Sequence, residues 1–316
     1  MDVVTGANIA NIATDLVTNE NVVNKTTGFL GMLFPYAGLE QKAVSVYIDA
    51  IEKSNMPPEA KAFAILNTKN TLKRIQNQKT IAEIAIKNSK EGTDFSEASK
   101  VNEDWLDRFM DSAKFVSFEE LQLVWGKILA NEFEQPGSTP PNMVRVLSEI
   151  TPNLARAFRL VCSMKVIVMQ LDENGDIEQR GTGILVPFKG NSEEFRDIGL
   201  DFKTLNELDT LGVIKFDSKS GYASKGIFNK NLLMYVGDKL ELIEEHNEGE
   251  VPIGNVFLTA VGEKLRAITD SIEIEGYYNM VMRYFAEEGV KIAKEHNYLF
   301  REDNGSLVID KCDNNI

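Results

Sequence analysis

Apolar side chains recur at helical spacing through the first half of the chain. Trp105, Leu106, Phe109, Met110 and Ala113 form one stripe, and Leu121, Val124, Trp125, Ile128 and Leu129 form a second, so two consecutive amphipathic helices are predicted. Ser117 and Glu120 have the spacing of a capping box, which would start the second helix at Ser117. Gln135, Pro136 and Gly137 would end it, and Gly126 beside the stripe would let another helix approach closely. Upstream, the pattern predicts a weak helix through Ile9, Ile12, Ala13 and Leu16, a helix over 40–53, and a longer one over 58–89 opened by Pro58 and closed by Gly92. Downstream, short helices are predicted over 140–150 and 152–162.

Beyond Cys162 the period shortens to that of strands. Runs over 166–171 and 177–186 join through Asn174 and Gly175, a pair suited to a tight hairpin turn. A helix over 202–211 leads into Gly212, Ile214 and Phe216 and a turn around Ser220 and Gly221. Strand-like runs follow over 232–236, 240–243 and 251–258, then helices over 259–268 and 274–296, and a hairpin 298–301 with 306–309 turning at Asn304 and Gly305. The predicted class is α+β, with a helical N-terminal half and a winged-helix-like or small mixed α/β C-terminal unit. The expected divisions are a helical region over 1–100, a helical domain over 101–163 and an α+β domain over 164–316.

The 316 residues are 43% hydrophobic and 26% charged, ordinary for globular domains. A formal net charge of −14 repels a polyanion, so nucleic acid is disfavoured as a partner. The N-terminus lacks a cationic start followed by a long apolar run, and the expected location is cytoplasmic. No stretch reaches the roughly 20 apolar residues of a membrane-spanning helix.

The search for chemistry returns little. Phosphate-cradling glycine loops and a nucleophile elbow are absent, and Gly181, Thr182 and Gly183 read as glycine punctuation in a strand. His246 and His296 are both expected at the surface, and Cys162 and Cys312 lack metal-ligand spacing, reading as a buried small hydrophobe and a free thiol. The acids from Asp172 to Asp176 depart from a calcium loop, since glycine falls too early and no closing glutamate follows. Glu119 and Glu120 fit a helix first turn better than a carboxylate pair. No catalytic, metal, cofactor or small-molecule site is assigned from these residues.

Two features suit a partner. The apolar run over 28–39, with Phe29, Leu30, Met32, Leu33, Phe34 and Tyr36, is either a buried linker or a contact for a protein or membrane. On the long helix, Lys69, Lys73, Arg74 and Lys79 form a locally basic stretch, either a solvated face or an anion contact.

The stretch 103–138, EDWLDRFMDSAKFVSFEELQLVWGKILANEFEQPGS, resembles the block of an uncharacterised bacterial domain-of-unknown-function family with a WLxRF helix and an ELQxLWAKILAxExxxPGS helix. The matching residues include Trp105, Phe109, Glu120, Leu121, Trp125, Ile128, Pro136 and Gly137, with Val124 and Gly126 standing where that block carries leucine and alanine. The C-terminal part is similar, more loosely, to the abortive-infection alpha protein family through LxxLGxI (Leu208, Leu211, Gly212, Ile214) and LTxxGxxL (Leu258, Thr259, Gly262, Leu265). What the resemblance implies is a bacterial accessory protein linked to phage defence, with no catalytic residues attached. The leading expectation is a non-enzymatic protein acting by protein association or self-association. The alternatives are a winged-helix DNA-binding regulator and a membrane-directed toxic effector using residues 28–39.

Overall fold

The computed structural model describes residues 41–89, 100–188, 193–225, 232–245, 250–303 and 306–312. The expected helix near Ile9, the apolar run 28–39, Gly92, His246 and the Asn304–Gly305 turn lie outside them. The class is α+β, and the chain divides into two compact units, Met1–Pro152 and Asn153–Ile316.

In the first unit the described helices are α1 (Gln41–Lys53), α2 (Pro58–Asn88), α3 (Glu103–Ala113), α4 (Glu119–Glu134) and α5 (Met143–Glu149). The two stripes read from the sequence form its core: Phe109, Met110, Trp125, Ile128 and Leu129 are fully buried. Phe109 joins the two helices, its ring 4.9 Å from Trp105 and 4.7 Å from Trp125. Against this core α2 brings Ile81, Ala82 and Ala85 together with two buried amides, Asn77 and Gln78. Their side chains donate to carbonyls at the C-terminal end of α3, Asn77 Nδ2 to Lys114 O at 2.9 Å and Gln78 Nε2 to Met110 O at 2.8 Å. The Met110 carbonyl already accepts Lys114 N–H at 3.3 Å and gains a second donor from Gln78, while the Lys114 carbonyl lies past the last turn, so the two amides tie the end of α3 to α2.

Gly126 serves the close approach expected of it. A Cβ there would fall 2.3 Å from Ile84 Cγ2 and 3.2 Å from the Ala85 backbone nitrogen. Gly126→Ala is expected to lower unfolding free energy by about 1–3 kcal/mol despite alanine's better helix propensity, measured by urea denaturation.

The capping box does not form. The helix starts at Glu119 with Phe118 as N-cap and no side-chain capping bond. Instead Gln122, itself buried, donates from Nε2 to Val116 O at 2.9 Å and closes the turn ahead of the helix, leaving Ser117 and Glu120 exposed.

The second unit contains α6 (Pro152–Ser163), α7 (Glu193–Asp197), α8 (Phe202–Leu211), α9 (Ala260–Arg266) and α10 (Tyr277–Glu287). Its strands are β1 (Lys165–Leu171), β2 (Ile177–Ile184), β3 (Ile214–Phe216), β4 (Tyr222–Lys225), β5 (Leu232–Val236), β6 (Lys239–Glu245), β7 (Glu250–Gly254), β8 (Val256–Leu258), β9 (Lys291–Ile292), β10 (Tyr298–Asp303) and β11 (Ser306–Lys311). The main sheet has the antiparallel order β2-β1-β5-β6-β9. Strand alternation sends Ile167, Met169, Leu171, Leu233 and Leu240 to one face, where Tyr298 and Ile309 of the β10–β11 hairpin pack on them. The opposite face is considered below.

Beside the sheet, β3 pairs with β8 and β4 with β7. The run expected as one strand over 251–258 is broken at Asn255, whose N–H donates to Val186 O at 2.9 Å and whose side-chain amide donates to Asp217 O at 2.8 Å. The side chain and backbone of one residue thus replace two ladder positions.

The helix expected over 274–296 ends at Glu287. Gly289 adopts φ +75°, and Val290 N–H reaches back to Phe285 O at 2.9 Å, a left-handed helix stop that frees the chain to form β9. His296, expected at the surface, is half-buried with Nε2 2.7 Å from Leu240 O. The β1–β2 turn is not a two-residue one. Asn174 keeps a negative φ, and Asp172 Oδ1 organises the loop by accepting from the N–H groups of Asn174 and Asp176, each at 2.8 Å.

Candidate functional site

Long helices need a packed face to persist in water, yet no residue of α2 before Asn77 is fully buried; Ala64, Ile65, Leu72 and Ile75 are only half-buried. Its first part, Pro58 to Gln76, rises roughly 28 Å at 1.5 Å per residue. Along this stem the large apolar side chains Phe63 and Leu66 are 66% and 56% exposed, and Val46 and Tyr47 of α1 and Met56 of the connection are also exposed. The stem is basic in an acidic protein: Lys61, Lys69, Lys73 and Arg74 stand against Glu59.

The four cations singled out from the sequence do not form one cluster. Lys69 and Lys73 are exposed one turn apart. Arg74 lies over the Phe115 ring, 5.2 Å from its centroid, and Lys79 pairs with Glu83 at 3.8 Å. Burial raises the Glu83 pKa above the usual carboxylate range, offset in part by Lys79. The cations around α8 are similarly engaged, Lys203 with Glu207 at 3.6 Å and Lys215 with Asp209 at 3.3 Å.

The residues of the ELQxLWAKILAxExxxPGS block build one joint. Glu132, whose role could not be read from spacing alone, is 3% exposed and turns its carboxylate on the loop that follows α4. Oε1 accepts from Gly137 N–H at 2.6 Å and Oε2 from Thr139 N–H at 2.9 Å, so the carboxylate clasps the segment through Pro136 and Gly137. Trp125, Ile128 and Leu121 face the core.

A corresponding joint lies in the second unit. Asp201 caps α8 by accepting from Thr204 N–H at 2.8 Å, a bond that lowers its pKa below the usual carboxylate range. Gly212, at φ +88°, ends the helix. Thr259 then locks α8 to α9: its Oγ1 donates to Gly212 O at 2.7 Å, accepts from Gly262 N–H at 3.1 Å, and its N–H donates to Val213 O at 3.1 Å. The LxxLGxI and LTxxGxxL segments are therefore two halves of one structural connection. Cys162 is a buried hydrophobe, its thiol pushed up to about 12 by burial, whereas Cys312 is half-buried.

The feature that sequence reading missed is a cavity of about 520 Å³ on the second face of the main sheet. Its floor follows from register: Val166, Val168 and Gln170 of β1, Leu232 and Met234 of β5, and Ile243 of β6 alternate away from the hairpin-side core. Val251, Val256, Leu258 and the fully buried Phe285 supply the other wall. Alternation within the run 166–171 was visible; that β1 pairs with β5 across sixty-odd intervening residues was not. Among the described residues no group of His, Cys, Asp and Glu could hold a metal ion, and no helix is long and apolar enough to cross a membrane.

An α+β protein with a helical stem, two tightly hydrogen-bonded joints and an apolar cavity is thus defined by its structure. Residues 66–282 match the family described as a protein of unknown function (DUF2806), and the chain belongs to that family. The matched stretch contains both joints and the floor of the cavity. No curated protein and no solved structure matches the chain.

Proposed function

We propose that the protein acts by association with a protein partner through the stem formed by α1 and the first part of α2, as an accessory component of bacterial defence against phage in the cytoplasm. The observation that carries this reading is the stem itself: exposed Phe63 and Leu66 on one helical stripe, flanked by Lys69 and Lys73, on a helix segment with no fully buried residue. Contiguous apolar side chains rimmed by charge favour a protein interface, and the basic rim favours a partner with an acidic one. The defence role rests on the likeness of the segments around Gly212 and Thr259 to abortive-infection alpha proteins; the arrangement of α8, the paired strands and α9 is read as winged-helix-like.

The test uses the full chain carrying Phe63→Ser and Leu66→Ser. Because both side chains are exposed, Tm is expected to stay within a few degrees of the wild type, the range of surface substitutions of about 0.5 kcal/mol. Cross-links from Lys61, Lys69 and Lys73 to a partner are expected to disappear, together with protection of the host in a phage plating assay. Protection by the double variant equal to that of the wild type, or none by the wild type, overturns the proposal.

A further inference from the structure

Glycine inside a strand weakens it, through backbone entropy and the lack of a side chain to pack, by roughly 0.5–1 kcal/mol. The edge strand β2 carries two, Gly181 and Gly183, at alternate positions. Register places them opposite Val168 and Val166, so both belong to the cavity face of the sheet. Neither adopts a positive φ, and a Cβ built on either meets nothing within 4 Å. This separates them from Gly126 and Gly262, where a neighbouring chain excludes a side chain. Neither backbone conformation nor packing therefore accounts for the pair. What their absent side chains do is open a notch of bare strand backbone into the cavity.

We infer that the cavity between the main sheet and the strands β7 and β8 is a binding site for an uncharged aromatic or heteroaromatic small molecule, seated flat against the backbone of Gly181 and Gly183. A volume of about 520 Å³ lies within the range of roughly 300–1,000 Å³ typical of small-molecule pockets. The body of the site is apolar, with Val168, Met234, Val256 and Phe285 around it. At one end Gln170 and Gln179 face each other across β1 and β2. Together they offer a donor and an acceptor, complementary to a lactam or similar edge.

The ligand is uncharged because the lining supplies no counter-ion. Arg180 lies on the opposite face of β2, where its guanidinium donates to Leu307 O at 2.8 Å. Glu263 at the rim is paired with Arg266 at 2.9 Å. A charged group entering the apolar body would lose hydration with nothing to replace it.

The test is calorimetric titration and thermal shift on the full chain, with quinolinone as a neutral bicyclic lactam and quinoline carboxylate as its anionic counterpart. Quinolinone is expected to bind saturably and raise Tm, and the carboxylate to bind at least about tenfold more weakly. Gly181→Val with Gly183→Val fills the notch: binding is expected to be lost while the Tm of the free protein stays level or rises, since valine suits a strand and enters open space. Thr182→Val, opposite Ile167 on the other face, is expected to leave binding intact. Absence of saturable binding to the wild type, equal affinity for the carboxylate, undiminished binding by the valine variant, or a fall in that variant's Tm each overturns the inference.

Discussion

Gly262→Ala is expected to produce a large loss of stability for a single added methyl group. The position is helical, and alanine should favour α9 by about 1 kcal/mol on propensity alone. Packing reverses the sign. A Cβ would stand 2.0 Å from Val213 O and 3.1 Å from the carbonyl carbon, and the obstacle is backbone, which cannot rotate away. The same oxygen accepts Thr259 N–H at 3.1 Å, so displacing it also pulls on the connection that caps α9 and closes α8. Overpacking of this kind costs about 1–3 kcal/mol, occasionally more, and the rigid contact places Gly262→Ala at the upper end, about 3 kcal/mol. Thr259→Ala should cost about 1 kcal/mol as a lost N-cap. Because both act on one connection, the double variant should fall short of the sum. Urea unfolding followed by far-UV circular dichroism measures all three. A Gly262→Ala protein as stable as the wild type would mean that α9 can move away from Val213 without loss, and that the two segments are not a rigid joint.

These residues also show what was legible. Gly212 and Thr259 stand out in the sequence because a left-handed helix stop and an N-cap are local devices, decided within a few residues. Their mutual hydrogen bond spans forty-seven positions and has no local signal. The same divide runs through the rest of the molecule. The stripes of α3 and α4 follow from side-chain spacing, and the close approach at Gly126 follows with them because a glycine beside an apolar stripe has few other uses. The capping box failed because Ser117 and Glu120 supply only the side chains; the backbone turn was set by Gln122 reaching Val116 O. The last helix is shorter than its apolar spacing, which continues past Glu287, because the stop at Gly289 is a backbone event. Gly181 and Gly183 were visible as residues but not as cavity wall, since a strand's two faces acquire meaning only when its neighbours are known. For the site as a whole, the sequence pointed to residues 28–39, which lie outside the described structure, and to four cations that are not gathered together. The exposure of Phe63 and Leu66 has no local signal, since apolar residues at helical spacing ordinarily mark a packed face.

Glu132→Ala should be among the most costly substitutions of a polar residue in the first unit. The carboxylate is 3% exposed and its two oxygens each accept one backbone N–H, from Gly137 and Thr139. Hydrogen bonds to a charged acceptor contribute about 1.5–3 kcal/mol each, and an orphaned buried donor forfeits the hydration it gave up on folding. Thr139 is 7% exposed, so water cannot readily replace the lost acceptor there. The expected loss is about 3 kcal/mol or more, reduced if the loop through Pro136 opens to solvent. Glu132→Gln keeps the shape but replaces one acceptor with an NH₂ group facing an N–H, and should fall between alanine and wild type. Glu120→Gln is the control: it lies in the first turn of the same helix, is exposed and makes no capping bond, so its effect should stay within about 0.5 kcal/mol. Both tryptophans, Trp105 and Trp125, lie in the first unit, and their fluorescence in urea reads its unfolding directly. Equal stability of the Glu132→Ala and Glu120→Gln proteins would show that the loop after α4 holds its course without the clasp, and that the glutamate of the ExxxPGS segment is not there to fold it.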